Sequence, residues 1–507
     1  MARAHSDIHF ATDHLQKGLK TRTVSSGIVT SLLQVAQLMM NLGSVIVLAR
    51  LLTPQDFGLL AMVLAVMGFF RVFNEAGLST ATVQKEGITH VQVSNLFWTN
   101  VALGGMITLA LAVSAPAVAW FYREPQLVAV TLALSVTFIL TGLTVQHLAL
   151  LKRQMRFKAV ALIQIVSAAI GVSVGIAMAW LDCGYWSLVG MQLSTPVVAL
   201  LMTWLTCRWR PKFPTRDSGT RSLLSFGANL TASGFLWSLA RGVDGLLIGR
   251  FFGSEALGLY SRAGALINRP MEQAMTPLEA VFVPTFSRLQ SQPERYRRIA
   301  LQVYDIVAVS SFLFSSILFA LSHPLTLVVL GPKWESAAPI FSAFTLIALY
   351  IPLASAAGWM LASQGRGKDF LKLSSIASVV TAGFFVAGLR FGPVGVALSY
   401  SLSCLLINLP VTFYIVGRKH LVTTKDLWAR FFAHLPLWGV VYCTTRLVQP
   451  LVVNSDPLSQ VGILGFIGFV TGAAFVCLYP PCRHAVLNLF GVIREWGKSR
   501  STIHGEP

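Results

Sequence analysis

The sequence predicts an all-α polytopic membrane protein of about 14 transmembrane helices, two parallel six-helix bundles around a central cavity plus a C-terminal helix pair. Three observations carry this. Hydrophobic residues make up 54% of the 507 and charged residues only 12%, about half the charged share of a soluble domain. Apolar runs of roughly 20 residues, each long enough for a hydrocarbon core of about 30 Å, recur from end to end. One segment is also written twice, as VIVLARLLTPQDFGLL at Val45–Leu60 and GLLIGRFFGSEALGLY at Gly245–Tyr260. Each copy is an apolar run, one arginine (Arg50, Arg250), a short polar turn and a glycine–leucine pair (Gly58-Leu59, Gly258-Leu259) opening another apolar run. Ser25 with Ser225 and Gly27 with Gly227 extend the match backwards.

A polar segment, 1–23, precedes the first apolar run, 24–50, which leaves the membrane at Arg50. The second run, 57–83, opens directly after the turn, and runs three to six follow at 96–120, 127–150, 159–181 and 185–206. Next comes the longest polar gap, RWRPKFPTRDSGTR at Arg208–Arg221, rich in proline and basic residues. It predicts a linker over 207–223 between an N-terminal bundle, 24–206, and a C-terminal bundle, 224–416. The second bundle reads 224–250, 256–285, 299–322, 337–362, 370–390 and 394–416. With an even number of spans per half, both copies enter from the same side. The halves are therefore expected to be parallel repeats about an axis along the membrane normal, with a substrate site between them. A further pair, 430–448 and 460–479, has no partner in the repeat; with its leading loop it occupies 417–479, and a tail follows over 480–507.

Lysine and arginine are retained on the inner side of short loops. With the N-terminus inside, 29 of the 39 fall on inner segments, and 6 on outer ones: Arg50, Arg123, Arg250, Lys333, Arg390 and Arg446. Both termini are thus expected in the cytoplasm. The asymmetry accounts for the net charge of +19, so no nucleic-acid partner is expected. The polar first 23 residues and the length of the first apolar stretch predict no cleavable signal peptide. Six cysteines without paired or metal-type spacing predict no disulfide framework. Loops of about 5 to 16 residues leave no room for a soluble catalytic or sugar-binding domain.

A charge near the bilayer centre costs about 2.5–3.5 kcal/mol on insertion scales, so it normally faces a cavity or a partner. On the first span Gln34, Gln37, Asn41 and Ser44 recur at helical spacing and share one face. The second copy places Gly234, Trp237, Arg241 and Asp244 there. Packing through small and polar groups accounts for Gln34 or Ser44 alone, whereas Arg241 with Asp244 implies a local ion pair or a water-filled site. Span two carries Arg71, Asn74 and Glu75 about half way along, with Arg71 and Glu75 four apart and able to pair. Span eight has Arg262 and Arg269 on one face and Glu272 and Glu279 on the next. Pro270, Pro277 and Pro284 at the same period predict a bend or local break there. Arg262 can snorkel to the outer surface, and Arg269 lies deeper. His147, Asp305 and Gln364 read as interfacial groups. Four arginines against Glu75, Asp244 and Glu272 describe a mildly cationic cavity, and arginine's permanently charged planar fork suits phosphate. The sequence contains no Walker-type loop, metal-ligand cluster or nucleophile–base arrangement. It is read as no enzyme and as needing no cofactor beyond a coupling ion.

LARLLTPQDFGLLAMVLAVMGFFRVFNEAGLSTATVQ (Leu48–Gln84), IGRFFGSEALGLYSRA (Ile248–Ala263) and LVVLGPKWESAAPIF (Leu327–Phe341) resemble bacterial polysaccharide exporters of the lipopolysaccharide-flippase type, colanic-acid-exporter-like. These fall within the superfamily that includes multidrug and toxic-compound extruders, and the resemblance covers most of residues 20–420. It implies a flippase moving an undecaprenyl-diphosphate-linked oligosaccharide across a bacterial inner membrane. The implied partners are that substrate, membrane lipids, and the polymerase and glycosyltransferases of a surface-polysaccharide pathway. On this reading Arg71, Arg241 and Arg269 bind the diphosphate, Arg262, Gln37, Asn41, Asn74 and Trp237 complete the cavity, and Asp244, Glu75 or Glu272 carries a coupling H+ or Na+. A cation-coupled drug extruder would need an acid-dominated cavity. A membrane polymerase or glycosyltransferase would need a sizeable outer loop, and a scaffold would leave the buried arginines an unexplained cost.

Overall fold

The computed structural model describes residues 19–74, 78–85, 87–215, 221–418 and 421–487; within these, 19–32, 34, 72–74, 78, 81, 84 and 221–241 are described by their backbone alone. No strand occurs among the described residues, and where these cover the expected spans they lie mainly on helix. The first seven helices are α1 (Leu19–Leu51), α2 (Pro54–Asn74), α3 (Leu78–Gln84), α4 (His90–Tyr122), α5 (Leu127–Arg153), α6 (Phe157–Trp180) and α7 (Trp186–Cys207). Then come α8 (Arg221–Arg288), α9 (Pro293–Ala320), α10 (Ser322–Val329), α11 (Ala338–Thr345), α12 (Ile347–Ser363) and α13 (Gly367–Gly388). The chain continues with α14 (Gly392–Ser403), a π-turn at Cys404–Asn408, α15 (Leu409–Gly417), α16 (Thr424–Val452) and α17 (Pro457–Leu478). Two compact units result, Met1–Gly258 and Leu259–Pro507, so the division falls inside α8.

Two expectations are corrected. The outer turn expected between spans seven and eight shrinks to Gly253, at φ +83°, the one residue of α8 with non-helical dihedrals. Only glycine enters that region at low cost. Through Pro270, Pro277 and Pro284 the helix stays continuous, so the proline period does not break it.

The doubled segment is a doubled structure. A Cβ added to Gly58 would overlap the Ser254 carbonyl, and one added to Gly258 would overlap the Pro54 carbonyl. Residues 54 and 58 thus meet 258 and 254 reciprocally, as two copies related by a local two-fold must. Small residues four apart let the helix starts touch backbone to backbone. The first copy is capped by Thr53, whose N–H and hydroxyl donate to Asp56 Oδ2 at 2.9 and 2.7 Å. In the second copy the cap position is Gly253, and the next residue, Ser254, donates to Glu124 Oε1 at 3.0 Å.

In the first unit α4 and α5 pack closely at Gly104 and Gly142, each facing a backbone carbonyl of the other helix. A capping box of Thr89 and Gln92 starts α4. Part of the expected linker is docked: Asn95 Nδ2 donates to the Thr215 carbonyl at 2.8 Å and its Oδ1 accepts from Thr215 N–H at 3.1 Å. Trp98 Nε1 donates to the Lys212 carbonyl at 2.9 Å, and its ring stacks on Phe213. His147 is fully buried in a box of Phe97, Trp204 and Trp209, so it belongs to the core and not to the interface.

The second unit is built on α9, whose Tyr296, Tyr304 and Phe312 share a core with Trp359 of α12, Phe413 of α15 and Val441 of α16. Gln364 lies at its inner end, donating to the Tyr296 hydroxyl at 3.0 Å. Arg366 donates to Asp369 Oδ2 at 2.8 Å and to the carbonyls of Val416 and Ile415. The extra helix pair is tied in by charge as well as by packing. Asp305 of α9 is buried and accepts from Arg430 of α16 at 2.6 Å. A capping box of Thr423 and Asp426 starts α16, and Asp456 starts α17. The Ser459 hydroxyl and N–H hold the Asp456 carboxyl below the usual range.

One more duplication appears. The α5–α6 turn, Leu151-Lys-Arg-Gln-Met-Arg-Phe-Lys158, and the α12–α13 turn, Leu361-Ala-Ser-Gln-Gly-Arg-Gly-Lys368, share Leu, Gln, Arg and Lys in register. Both carry a left-handed residue, Met155 at φ +54° and Gly365 at φ +66°. Both close with the arginine N–H donating to the leucine carbonyl, at 2.9 and 3.0 Å. Met155 holds a conformation that costs a side-chain-bearing residue about 1 kcal/mol. Met155→Gly is therefore expected to leave thermal stability unchanged or slightly raised in a detergent melt, whereas Gly365→Val should lower it.

Candidate functional site

The polar face of α8 beyond Gly253 is the best-described part of the candidate site. At 100° per residue, Tyr260, Gly264, Ile267, Met271, Leu278, Phe282 and Phe286 lie along one side of the helix. That side is held by the unit's core: Tyr260 meets Phe344 edge-on at 5.0 Å, and Phe282 stacks on Trp359 at 5.7 Å. The opposite side carries Arg262, Arg269, Glu272, Gln273, Thr276 and, at its edge, Glu279. Arg269, Glu272, Thr276 and Glu279 are exposed, and Arg262 is half-buried. The Thr276 hydroxyl donates to the Glu272 carbonyl at 2.8 Å. A row of charge and hydroxyl within a membrane span, turned away from its own core, requires water or a polar partner along it. Sequence spacing singled out Arg262, Arg269 and Glu272; it missed Gln273 and Thr276, which the heptad of core residues opposite them would have exposed.

In the first unit, the α8 section before Gly253 packs on α2 through Gly242 against Phe69 and Gly245 against Ala65. Asp244 sits between those two glycines, half-buried, with Oδ1 accepting the Gly245 N–H at 2.8 Å. Arg71 follows Phe69 by half a turn and is exposed. On α1, Gln37 and Asn41 are half-buried, and Ser44 spends its hydroxyl on the Asn41 carbonyl at 2.8 Å. Ser44 is thus a packing residue. Arg241, Trp237 and Asn74 are placed on helical backbone; the side chains of all three, and of Gln34, lie outside the described residues, as does the whole of Glu75. Of the arginines expected on the outer side, Arg50 is exposed, and Arg250 lies over the Phe121 ring at 5.9 Å.

The described residues hold no group of three or more His, Cys, Asp or Glu arranged for a metal ion. What the two polar faces can do is bind anions by charge-assisted hydrogen bonds from arginine and hydroxyl-rich groups through amide and hydroxyl side chains.

Residues 47–339 match the family profile described as "Polysaccharide biosynthesis protein". Curated relatives include the teichuronic acid biosynthesis protein TuaB of Bacillus subtilis (strain 168), 27% identical over 59% of this chain and 62% of that one. The chain thus spans somewhat less than two thirds of that relative. The lipopolysaccharide biosynthesis protein WzxC of Escherichia coli (strain K12) is 22% identical over 84% of this chain and 88% of its own. The succinoglycan biosynthesis transport protein ExoT of Rhizobium meliloti (strain 1021) is 26% identical over 68% and 69%. Among solved structures, lipid II flippase MurJ in an inward closed conformation superimposes with TM-score 0.71 at 14% identity, covering 90% of this chain and 98% of that one. An inward-facing multidrug resistance MATE family transporter gives TM-score 0.56 at 13% identity, over 79% and 98%. These two share its fold.

Proposed function

Because the chain belongs to the polysaccharide biosynthesis protein family, we propose that it is a flippase. Its cargo on this reading is an undecaprenyl-diphosphate-linked oligosaccharide, carried from the inner to the outer leaflet of a bacterial inner membrane for assembly of a surface polysaccharide. The observation that carries this reading is the face of α8 bearing Arg262, Arg269, Gln273 and Thr276 on the side away from its unit's core. A diphosphate cannot cross hydrocarbon unaided, and arginine forks are matched to it. The relatives' names, a lipopolysaccharide biosynthesis protein and a succinoglycan transport protein among them, are in keeping with a glycan cargo.

In this mechanism the glycan head enters an aqueous cavity and the lipid tail stays in the bilayer. Arg71, Arg241, Arg262 and Arg269 hold the diphosphate, while Gln37, Asn41, Asn74 and Trp237 contact the sugars. The two units exchange access by moving as bodies, with Gly253, five residues before their boundary, free to absorb the change in φ and ψ. Asp244, Glu75 or Glu272 takes up the coupling H+ or Na+. Both termini are cytoplasmic, and the polymerase and glycosyltransferases of the pathway work on either side of the step.

Purified protein in liposomes, loaded with a fluorescent polyprenyl-diphosphate oligosaccharide, should bring the probe to equilibrium between leaflets, read by quenching from outside. A cationic dye should not move. Dye transport without movement of the lipid-linked probe would replace this reading with a drug extruder.

A further inference from the structure

A buried acid–base cluster lies where α16 meets α9, apart from the polar faces described above. The Asp305 side chain is 3% exposed; its Oδ2 accepts from Arg430 Nη1 at 2.6 Å, and its Oδ1 lies 3.0 Å from His434 Nε2. The His434 side chain is 1% exposed, and its Nδ1 lies 3.4 Å from Cys482 Sγ, also buried. A carboxylate can only accept, so Nε2 carries a ring hydrogen, and in the neutral imidazole Nδ1 receives the Cys482 S–H. In that form the cluster pairs one carboxylate with one guanidinium. Tyr304 neighbours Asp305 on α9, and Arg483 and His484 flank Cys482 as exposed groups; α12 and α17 bring no charged side chain. The Arg430 side chain is 43% exposed and joins this interior to the surface.

We propose that Asp305 and His434 form a proton-binding site in which an incoming proton displaces the Arg430 guanidinium from the carboxylate. The proton enters from water at the helix ends and adds to His434 Nδ1. The Cys482 S–H then turns away, and the imidazolium keeps its Nε2–H on Asp305. Two cations on one buried carboxylate leave a net charge out of water, and Arg430 is the one with a path to solvent. Only one N–H bond forms, and the charge balances as H+ enters and Arg430 leaves. Losing the Arg430 contact removes a tie between α16 and α9 and uncovers Cys482. On the flippase reading, on which this last step rests, the site gives a transport cycle a proton entry separate from Asp244, Glu75 and Glu272.

The test uses full-length protein in lipid nanodiscs with Cys482 as its only cysteine, labelled by an aromatic disulfide that reacts with thiols across the acid range. A free thiol labels more slowly as pH falls, because the thiolate is the nucleophile. Here labelling should instead rise, by about fivefold from pH 8 to pH 5.5, as His434 takes its proton. His434→Gln should flatten the rise, and Arg430→Gln should label fast at both pH values. Asp305→Asn, expected to be flat as well, replaces His434→Gln if that variant does not fold. Labelling that falls with pH in the parent, or rises equally in His434→Gln, overturns the site. The outcome is independent of transport: a pH-gated Cys482 in a protein that flips nothing keeps the site and sinks the flippase reading.

Discussion

Arg269→Ala is expected to abolish surface polysaccharide while the protein stays folded and in the membrane. The side chain is exposed on the face of α8 opposite its core contacts, so truncation opens no cavity, and alanine is the better helix former. On the proposed reading, what is lost is a charged donor to the diphosphate, worth about 1.5–3 kcal/mol, or roughly a 10- to 100-fold fall in transport. Arg241→Ala is expected to do the same from the other copy of the repeat. Arg269→Lys should restore part of the activity, because the charge returns without the planar fork. Arg50→Ala and Arg250→Ala should cost much less, since Arg50 is exposed and Arg250 rests on Phe121. The measurements are cell-surface polysaccharide and membrane abundance of each variant. Normal polysaccharide in both Arg269→Ala and Arg241→Ala would overturn the assignment of the cavity.

The all-helical, many-span class was legible in the sequence because twenty apolar residues in a row have few other fates. The doubled segment was legible too, and its register led to the face carrying Asn41 and Asp244. What stayed hidden is what hydropathy does not encode. Span eight reads as breakable at its prolines, yet packing of Tyr260, Phe282 and Phe286 holds it helical, and the only break is at Gly253. His147, Asp305 and Gln364 look interfacial from their distance along a span. His147 and Asp305 are buried and Gln364 half-buried, against partners 60 to 130 residues away, Trp209, Arg430 and Tyr296 among them. The duplicated Gln-x-Arg-x-Lys turns were present in the sequence at an offset of 210, ten longer than the first repeat, so a search at one fixed offset passes over them.

Gly58→Ala and Gly258→Ala should each destabilise the protein severely, far beyond an ordinary glycine substitution in a helix. In an exposed helix, glycine to alanine stabilises by about 1 kcal/mol through propensity, and Gly43→Ala, where an added methyl meets open space, is expected to follow that rule. At Gly58 the methyl would occupy the position of the Ser254 carbonyl, and at Gly258 that of the Pro54 carbonyl. Backbone cannot rotate aside as a side chain can, so the two helix starts must separate. Overpacking of this kind costs about 3 kcal/mol or more, and the separation also lifts Ser254 from Glu124 and Arg250 from Phe121. Because the contacts are reciprocal, separating the helix starts at one glycine also opens the contact at the other. The double variant should therefore be scarcely worse than either single one, since the helices are already apart. Melting in detergent, with Gly43→Ala beside the two singles and the double, reads this directly. Additive losses in the double variant would mean that the two contacts are separate, and that the repeat meets itself at two independent points and not across one shared axis.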